Sequence, residues 1–322
     1  MSKILVTGST GFIGYHLSKS LLDDKYEVLG LDNINDYYDP TLKESRLKQL
    51  NVYKHFTFKK IDISDKETLA KAFTDFKPNK VVNLAAQAGV RYSFENPYAY
   101  MDSNLVGFLN IIELCRNNDV DGLIYASSSS VYGKNTKIPF SVEDRVDKPI
   151  ALYGATKRAN ELIAYAYSHL YGLSTTGLRF FTVYGPWGRP DMAMFIFTKK
   201  ILANEPIPVF NNGKMKRDFT YIDDIISGTR SAIEKNYKCE VFNLGNHKSE
   251  HLMDMIMLLE KELGKKAKLD LLPLQPGDIE ESFADIMFST KKLGYKPKTN
   301  IDKGIKNFVE WYKNYYNKTQ TI

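Results

Sequence analysis

The chain has 322 residues, 43% hydrophobic, 25% charged and 13% aromatic, which excludes a disordered protein and suits one large α/β unit or two closely joined domains. Its 44 basic and 38 acidic residues give a formal charge of +6; this is spread out, densest at Lys59–Lys60, Lys265–Lys268 and Lys291–Lys318, with no block of like charge that would point to nucleic acid. Cys115 and Cys239 are too few and too far apart for a disulfide framework, no apolar run approaches membrane length, and the chain starts directly on a strand, so a cytoplasmic protein without a membrane contact is expected.

Lys3–Thr7 is an apolar run that leads into Gly8, Gly11 and Gly14, after which Phe12, Ile13, Leu17 and Leu21 fall on one helical stripe. Strand, glycine loop and helix in that order suit a pyrophosphate. The glycines permit a tight turn and a close backbone approach, and the helix N-terminus supplies free N–H groups and positive potential. A second strand, Glu27–Leu31, ends at Asp32, about twenty residues on, where a carboxylate accepts from an adenosine ribose and repels a 2′-phosphate. NAD is therefore expected over NADP.

Asn33 to Leu50 reads as a polar insertion ending in a short basic helix. Phe56–Ile61 reads as a strand closed by Asp62, suitably placed for an adenine edge, followed by a helix over Lys66–Phe76 and a strand over Lys80–Leu84. The small residues Ala85 and Ala86, with Gln87, let a flat cofactor cross the strand ends. The pattern next predicts one helix from Tyr100 to Arg116, with Asn104 near its start, then a strand over Leu123–Ala126 with four serines, Ser127–Ser130, at its carboxyl end. Alternating strands and helices predict an α/β, doubly wound parallel sheet of Rossmann type, in which ligands bind at the carboxyl ends of the strands.

Tyr153 and Lys157 lie four apart, on one face of a predicted helix running to Leu170. A phenol is a poor base at neutral pH; an ammonium beside it favours the phenolate and makes it a usable general base. Gly172 is expected to end that helix and Ser174–Phe181 to form a strand. Beyond Thr182 the prolines at 186, 190, 206 and 208 interrupt the pattern, with a short helix over Met192–Leu202. A boundary is placed there. Residues 1–181 are read as the nucleotide-binding domain, with 219–245 as a segment returning to it through a strand at Glu240–Leu244. Residues 182–322 are read as a smaller α/β substrate domain.

The chain resembles the extended short-chain dehydrogenase/reductase family. Narrower likenesses lie in Asp32–Tyr38, Val90–Ser93, Asp102–Gly107, Gly185–Asp191 and Lys214–Asp223; together they resemble the UDP-glucuronate 4-epimerases. That resemblance implies NAD, a UDP-sugar substrate, no metal and a homodimer formed through the helices at Tyr100–Arg116 and Tyr153–Leu170. It implies that Tyr153 takes the proton of the sugar 4-hydroxyl while C4 gives a hydride to NAD, and that Lys157 also holds the nicotinamide ribose. Ser128 would hydrogen-bond the 4-oxygen, with Ser129 and Ser130 assisting. The implied NAD contacts are Gly8, Gly11, Phe12, Ile13, Gly14, Asp32, Asn33, Asp62, Ile63, Ala85, Ala86, Gln87, Asn104, Tyr153 and Lys157. Arg189 with Thr182 would bind a uronate carboxylate, Arg217 the diphosphate and Asp278 the ribose of the nucleotide, and Arg91 would be a further substrate contact.

Related 4,6-dehydratases carry an aspartate–glutamate pair where this chain has Ser129 and Ser130, so water elimination is not expected. Gln275 stands where hexose 4-epimerases typically have an arginine, so one diphosphate contact must come from elsewhere. Alternatives that remain open are a UDP-glucuronate decarboxylase, a 4-epimerase of a UDP-N-acetylhexosamine or its uronate, and a catalytically silent dinucleotide-binding protein.

Overall fold

The computed structural model describes residues 2–319. Its first half alternates strand and helix: β1 (Lys3–Thr7), α1 (Phe12–Asp23), β2 (Glu27–Asp32), α2 (Pro40–Leu50), β3 (Phe56–Lys60), α3 (Lys66–Phe76) and β4 (Lys80–Asn83). Two single-turn helices, α4 (Tyr92–Glu95) and α5 (Pro97–Tyr100), precede α6 (Gly107–Asn117), followed by β5 (Gly122–Ser128), α7 (Leu152–Tyr171) and β6 (Thr175–Phe180). Beyond them come β7 (Thr182–Tyr184), α8 (Ala193–Leu202), β8 (Pro206–Val209), β9 (Lys216–Arg217), β10 (Phe219–Tyr221), α9 (Ile222–Lys235) and β11 (Cys239–Leu244). The chain closes through β12 (Glu250–His251), α10 (Leu252–Leu263), β13 (Lys268–Leu271), β14 (Glu281–Ser282), α11 (Met287–Leu293) and α12 (Ile301–Thr319).

Seven strands form one parallel sheet in the order β11-β6-β5-β4-β1-β2-β3. Helices cover both faces, which is why β1, β5 and β6 are buried nearly throughout instead of alternating. The order reverses between β1 and β4, so a crevice opens outside the carboxyl ends of those strands. The expected strand at Glu240–Leu244 is present as Cys239–Leu244, paired in parallel with β6. Among the described residues no helix is long and apolar enough to cross a membrane.

Two elements differ from expectation. β5 runs on through Ser127 and Ser128, so two of the four serines belong to the strand itself. The single helix expected from Tyr100 to Arg116 is instead a π-helical turn over Met101–Val106 that leads into α6. The local cause is visible. The Asn104 carbonyl accepts from Asn160 Nδ2 of α7 at 2.7 Å, which competes with the regular helical bond at that position.

Candidate active site

The glycine loop is shaped by close approach. Gly8 has φ +67°, and a Cβ there would meet the Ala85 backbone nitrogen at 2.8 Å; a Cβ on Gly14 would run into the Gly8 carbonyl. Only glycine fits these positions, so the loop presses flat against the strand ends with the α1 N-terminus behind it. Asp32, at the end of β2, accepts from Thr10 N at 3.1 Å and from Ile34 N at 2.9 Å, which fixes its carboxylate beside the loop. Asn33 donates to Asp62 Oδ2 at 2.8 Å, while Ser64 N and Oγ cap the other oxygen. Burial raises the Asp62 pKa, but the hydrogen bonds from Ser64 and Asn33 outweigh it and hold the carboxyl below its ordinary value.

One cavity joins these groups to the remaining predicted residues. Gly8, Gly11, Phe12, Ile13, Gly14, Asp32, Asn33, Asp62, Ile63, Ala85, Ala86 and Gln87 line one part of it. Ser128, Ser129, Ser130, Tyr153, Lys157, Thr182, Arg189, Arg217 and Asp278 line the rest. Asn104 and Arg91 do not line it. Asn104 is buried behind the wall: its Oδ1 accepts from Gln87 N, and its Nδ2 donates to Gln87 O and Thr156 Oγ1. Its side-chain bonds hold the Ala85–Gln87 crossing against α7. Arg91 stands outside, half-exposed, its guanidinium over the Phe210 ring at 4.3 Å and 3.3 Å from Asp278 Oδ2.

Tyr153 and Lys157 lie at the start of α7 beside the end of β5, Tyr153 partly exposed and Lys157 buried. Burial pushes the Tyr153 phenol above its ordinary value, while a hydrogen bond with Ser128 and the Arg189 charge act in the opposite sense. Lys157 is fully enclosed and donates to the Ala126 carbonyl at 2.9 Å; burial brings its pKa down to about 8. The Lys157 ammonium faces the end of β5, one turn along α7 from Tyr153.

Ser128 is held by what lies beneath it. Its neighbour Ser127 donates to Glu161 Oε1 at 2.6 Å, and Glu161 is gripped at both oxygens by Arg179 at 2.8 and 2.9 Å, with Arg158 adding a third cationic bond at 3.0 Å. This buried pair ties the reactive end of β5 to β6 and α7. Arg189 makes a fork of its own: Nε donates to Asp191 Oδ1 at 3.0 Å and Nη2 to Asp191 Oδ2.

Sequence reasoning missed several residues of the cavity. The insertion after β2 brings Asn35, Tyr37, Tyr38 and Lys43 into its wall. Lys43 bonds Asn35 O and Oδ1 at 2.8 and 2.6 Å and sits over the Tyr38 ring, and Asp191 and Glu161 were likewise unremarked. Asp39 caps α2 by accepting from Thr41 N, with Pro40 at its first position, and so orders the end of this insertion. Among the described residues no cluster of three or more His, Cys, Asp or Glu could hold a metal.

The glycine cradle, the acid after β2 and an enclosed lysine bonded to a backbone carbonyl make a donor set that fits a dinucleotide. The comparisons agree with that geometry. Residues 4–245 match the model of the NAD dependent epimerase/dehydratase family. An uncharacterized protein of Methanocaldococcus jannaschii is 55% identical, over 96% of this chain and 95% of that protein. UDP-glucuronate 4-epimerase 4 of Arabidopsis thaliana is 48% identical, over 97% of this chain and 76% of that protein. The crystal structure of UDP-glucuronic acid 4-epimerase from Bacillus cereus, in complex with UDP-glucuronic acid and NAD, superposes with a TM-score of 0.92 at 36% identity, over 98% of this chain and all of that one.

Proposed function

The chain belongs to the NAD dependent epimerase/dehydratase family, and from that premise we propose that it inverts C4 of a UDP-uronic acid, converting UDP-glucuronate to UDP-galacturonate through a transient 4-keto sugar. At the coarser level it is an isomerase, an NAD-dependent UDP-sugar 4-epimerase. One observation carries the choice of a uronate. Arg189 lines the same cavity as Tyr153 and Ser128, close enough for its charge to bear on the phenol. A guanidinium there matches a carboxylate on C6 in both charge and shape.

NAD, when bound, supplies a hydride acceptor that can return what it takes. Tyr153 removes the proton of the 4-hydroxyl and later restores it, and Ser128 hydrogen-bonds the same oxygen as it becomes a carbonyl. Lys157 holds the nicotinamide ribose. Asp32 binds the adenosine ribose hydroxyls, the loop from Gly8 to Gly14 the pyrophosphate, and Asp62 with Ile63 the adenine. Thr182 and Arg189 hold the uronate carboxylate, with Ser129 and Ser130 along the sugar. Residues 1–181, with the returning segment 219–245, carry the cofactor; the rest of 182–322 carries UDP through Arg217 and Asp278. With Gln275 in place of an arginine, Arg217 serves the diphosphate from the cavity wall, and Arg91 reaches toward it from outside, paired with Asp278.

The test is to offer purified protein, without added cofactor, UDP-glucuronate, UDP-glucose and UDP-N-acetylglucosamine in separate reactions and to resolve the products by chromatography. The proposal expects the galacturonate epimer, with the neutral sugars turned over far more slowly. Equal turnover of a neutral sugar contradicts the uronate assignment. A pentose product with loss of CO2 would mark a decarboxylase instead.

A further inference from the structure

Resting on the uronate substrate just proposed, we propose that Asp191, backed by Tyr37, is a positioning residue: it fixes the Arg189 guanidinium and through it the place of the substrate carboxylate relative to the sugar ring, which keeps C6 attached during turnover. A guanidinium has five N–H donors in a rigid fork. Asp191 takes the Nε hydrogen and one Nη2 hydrogen. That leaves the Nη1–Nη2 edge, and no other hydrogen-bond acceptor for Arg189 is found among the described residues. A second carboxylate can meet that edge bidentately, in the plane that Asp191 has already set.

Asp191 is itself held. Tyr37 donates to its Oδ2 at 3.2 Å, and the Tyr37 ring packs on Tyr92 at 4.8 Å. Burial and the neighbouring carboxylate push the Tyr37 phenol up to about 12, so it stays a donor at working pH. Pro190 restrains the one-residue span between Arg189 and Asp191, which limits how the fork can turn. Opposite lies Gly89, where a Cβ would come within 3.0 Å of Tyr37 Oη and 3.9 Å of Arg189 Nη2, so the absence of a side chain makes room for the pair.

Charge alone gives no reason for this pairing, since Arg189 and Asp191 nearly cancel and a bare arginine would attract the substrate more strongly. Orientation does. A 4-keto uronate is a β-keto acid. When its C5–C6 bond lines up with the 4-carbonyl π system, CO2 departs, the bonding pair stays on C5 as an enolate, and C5 then takes a proton from water. A carboxylate held at both oxygens by a fixed guanidinium fixes where C6 stands relative to the sugar ring, and so keeps that bond out of line.

The experiment is product partition. UDP-glucuronate labelled with 13C at C6 is turned over by the wild type, by Asp191→Asn and by Tyr37→Phe, and the ratio of labelled CO2 to epimer is measured. The amide of Asp191→Asn has a single acceptor, so the fork breaks. The ratio is expected to rise about tenfold, with a smaller rise of about threefold for Tyr37→Phe. Partial unfolding lowers both products together and leaves the ratio where it was. A wild-type ratio in both variants overturns the inference while the substrate assignment stands; should Asp191→Asn give no product, Tyr37→Phe decides alone. A wild-type protein that forms no epimer from UDP-glucuronate overturns the substrate assignment, and this inference with it.

Discussion

Lys157 should weaken the fold it serves. Its ammonium is enclosed, it donates to the Ala126 carbonyl, and burial moves its pKa from an ordinary 10.5 to about 8. Between those values the unfolded chain binds more protons than the folded one, so stability rises with pH across the window. The cost is present in full below about pH 8 and is relieved toward pH 10.5. A shift of that size corresponds to about 3 kcal/mol at pH 7. Lys157→Met keeps the length of the side chain and removes the charge, at a loss of about 1 kcal/mol for the hydrogen bond to Ala126. The nucleotide-free variant is therefore expected to be about 2 kcal/mol more stable at pH 7, raising Tm by about 4 °C, while epimerase activity disappears. Thermal and urea unfolding at pH 6.5 to 10, on protein stripped of nucleotide, measures this over a range on the order of three pH units. The advantage should shrink as pH rises. A variant less stable than wild type throughout, or an advantage independent of pH, would refute the reasoning.

Three further outcomes are expected. Asp32→Ala removes the carboxylate anchored by Thr10 N and Ile34 N; NAD affinity should fall about tenfold or more and the preference over NADP should narrow, which titration calorimetry with both nucleotides checks. Arg179→Met strands Glu161, whose pKa burial raises but whose bonds to Arg179, Ser127 and Arg158 bring it below the ordinary range; a loss of about 3–5 kcal/mol in urea unfolding is expected, largely recovered in the double variant Arg179→Met/Glu161→Met. The proposed homodimer predicts that the exposed apolar residues on α7, among them Leu162, Tyr165 and Leu170, and Leu109 on α6 are covered by a second copy. Leu162→Arg with Tyr165→Glu should then shift sedimentation to the monomer; a wild-type protein that is already monomeric at micromolar concentration would dismiss the dimer.

The sheet and the phosphate loop were legible because each rests on local chemistry. Apolar runs bounded by polar turns mark β1, β5 and β6, and Gly8 and Gly14 announce a backbone approach that no other residue allows. Asp32 follows from its distance along the chain to that loop. Elements whose conformation depends on distant partners were not legible. Nothing in the sequence around Asn104 shows its bonds to Gln87, Thr156 and Asn160. The bond from the Lys157 ammonium to the Ala126 carbonyl is set by β5 and invisible in α7 alone. Asp191 and Tyr37 come from loops about 150 residues apart. Nothing in either loop names the other, and the fork on Arg189 exists only once the chain has folded.

The account turns on the fate of one hydrogen. UDP-glucuronate carrying deuterium at C4 should give UDP-galacturonate with the label still at C4 when the product is analysed by NMR and mass spectrometry in ordinary water. Product that has exchanged that deuterium for solvent hydrogen would contradict the account, because inversion would then proceed by proton loss to water and not by a hydride held within the site.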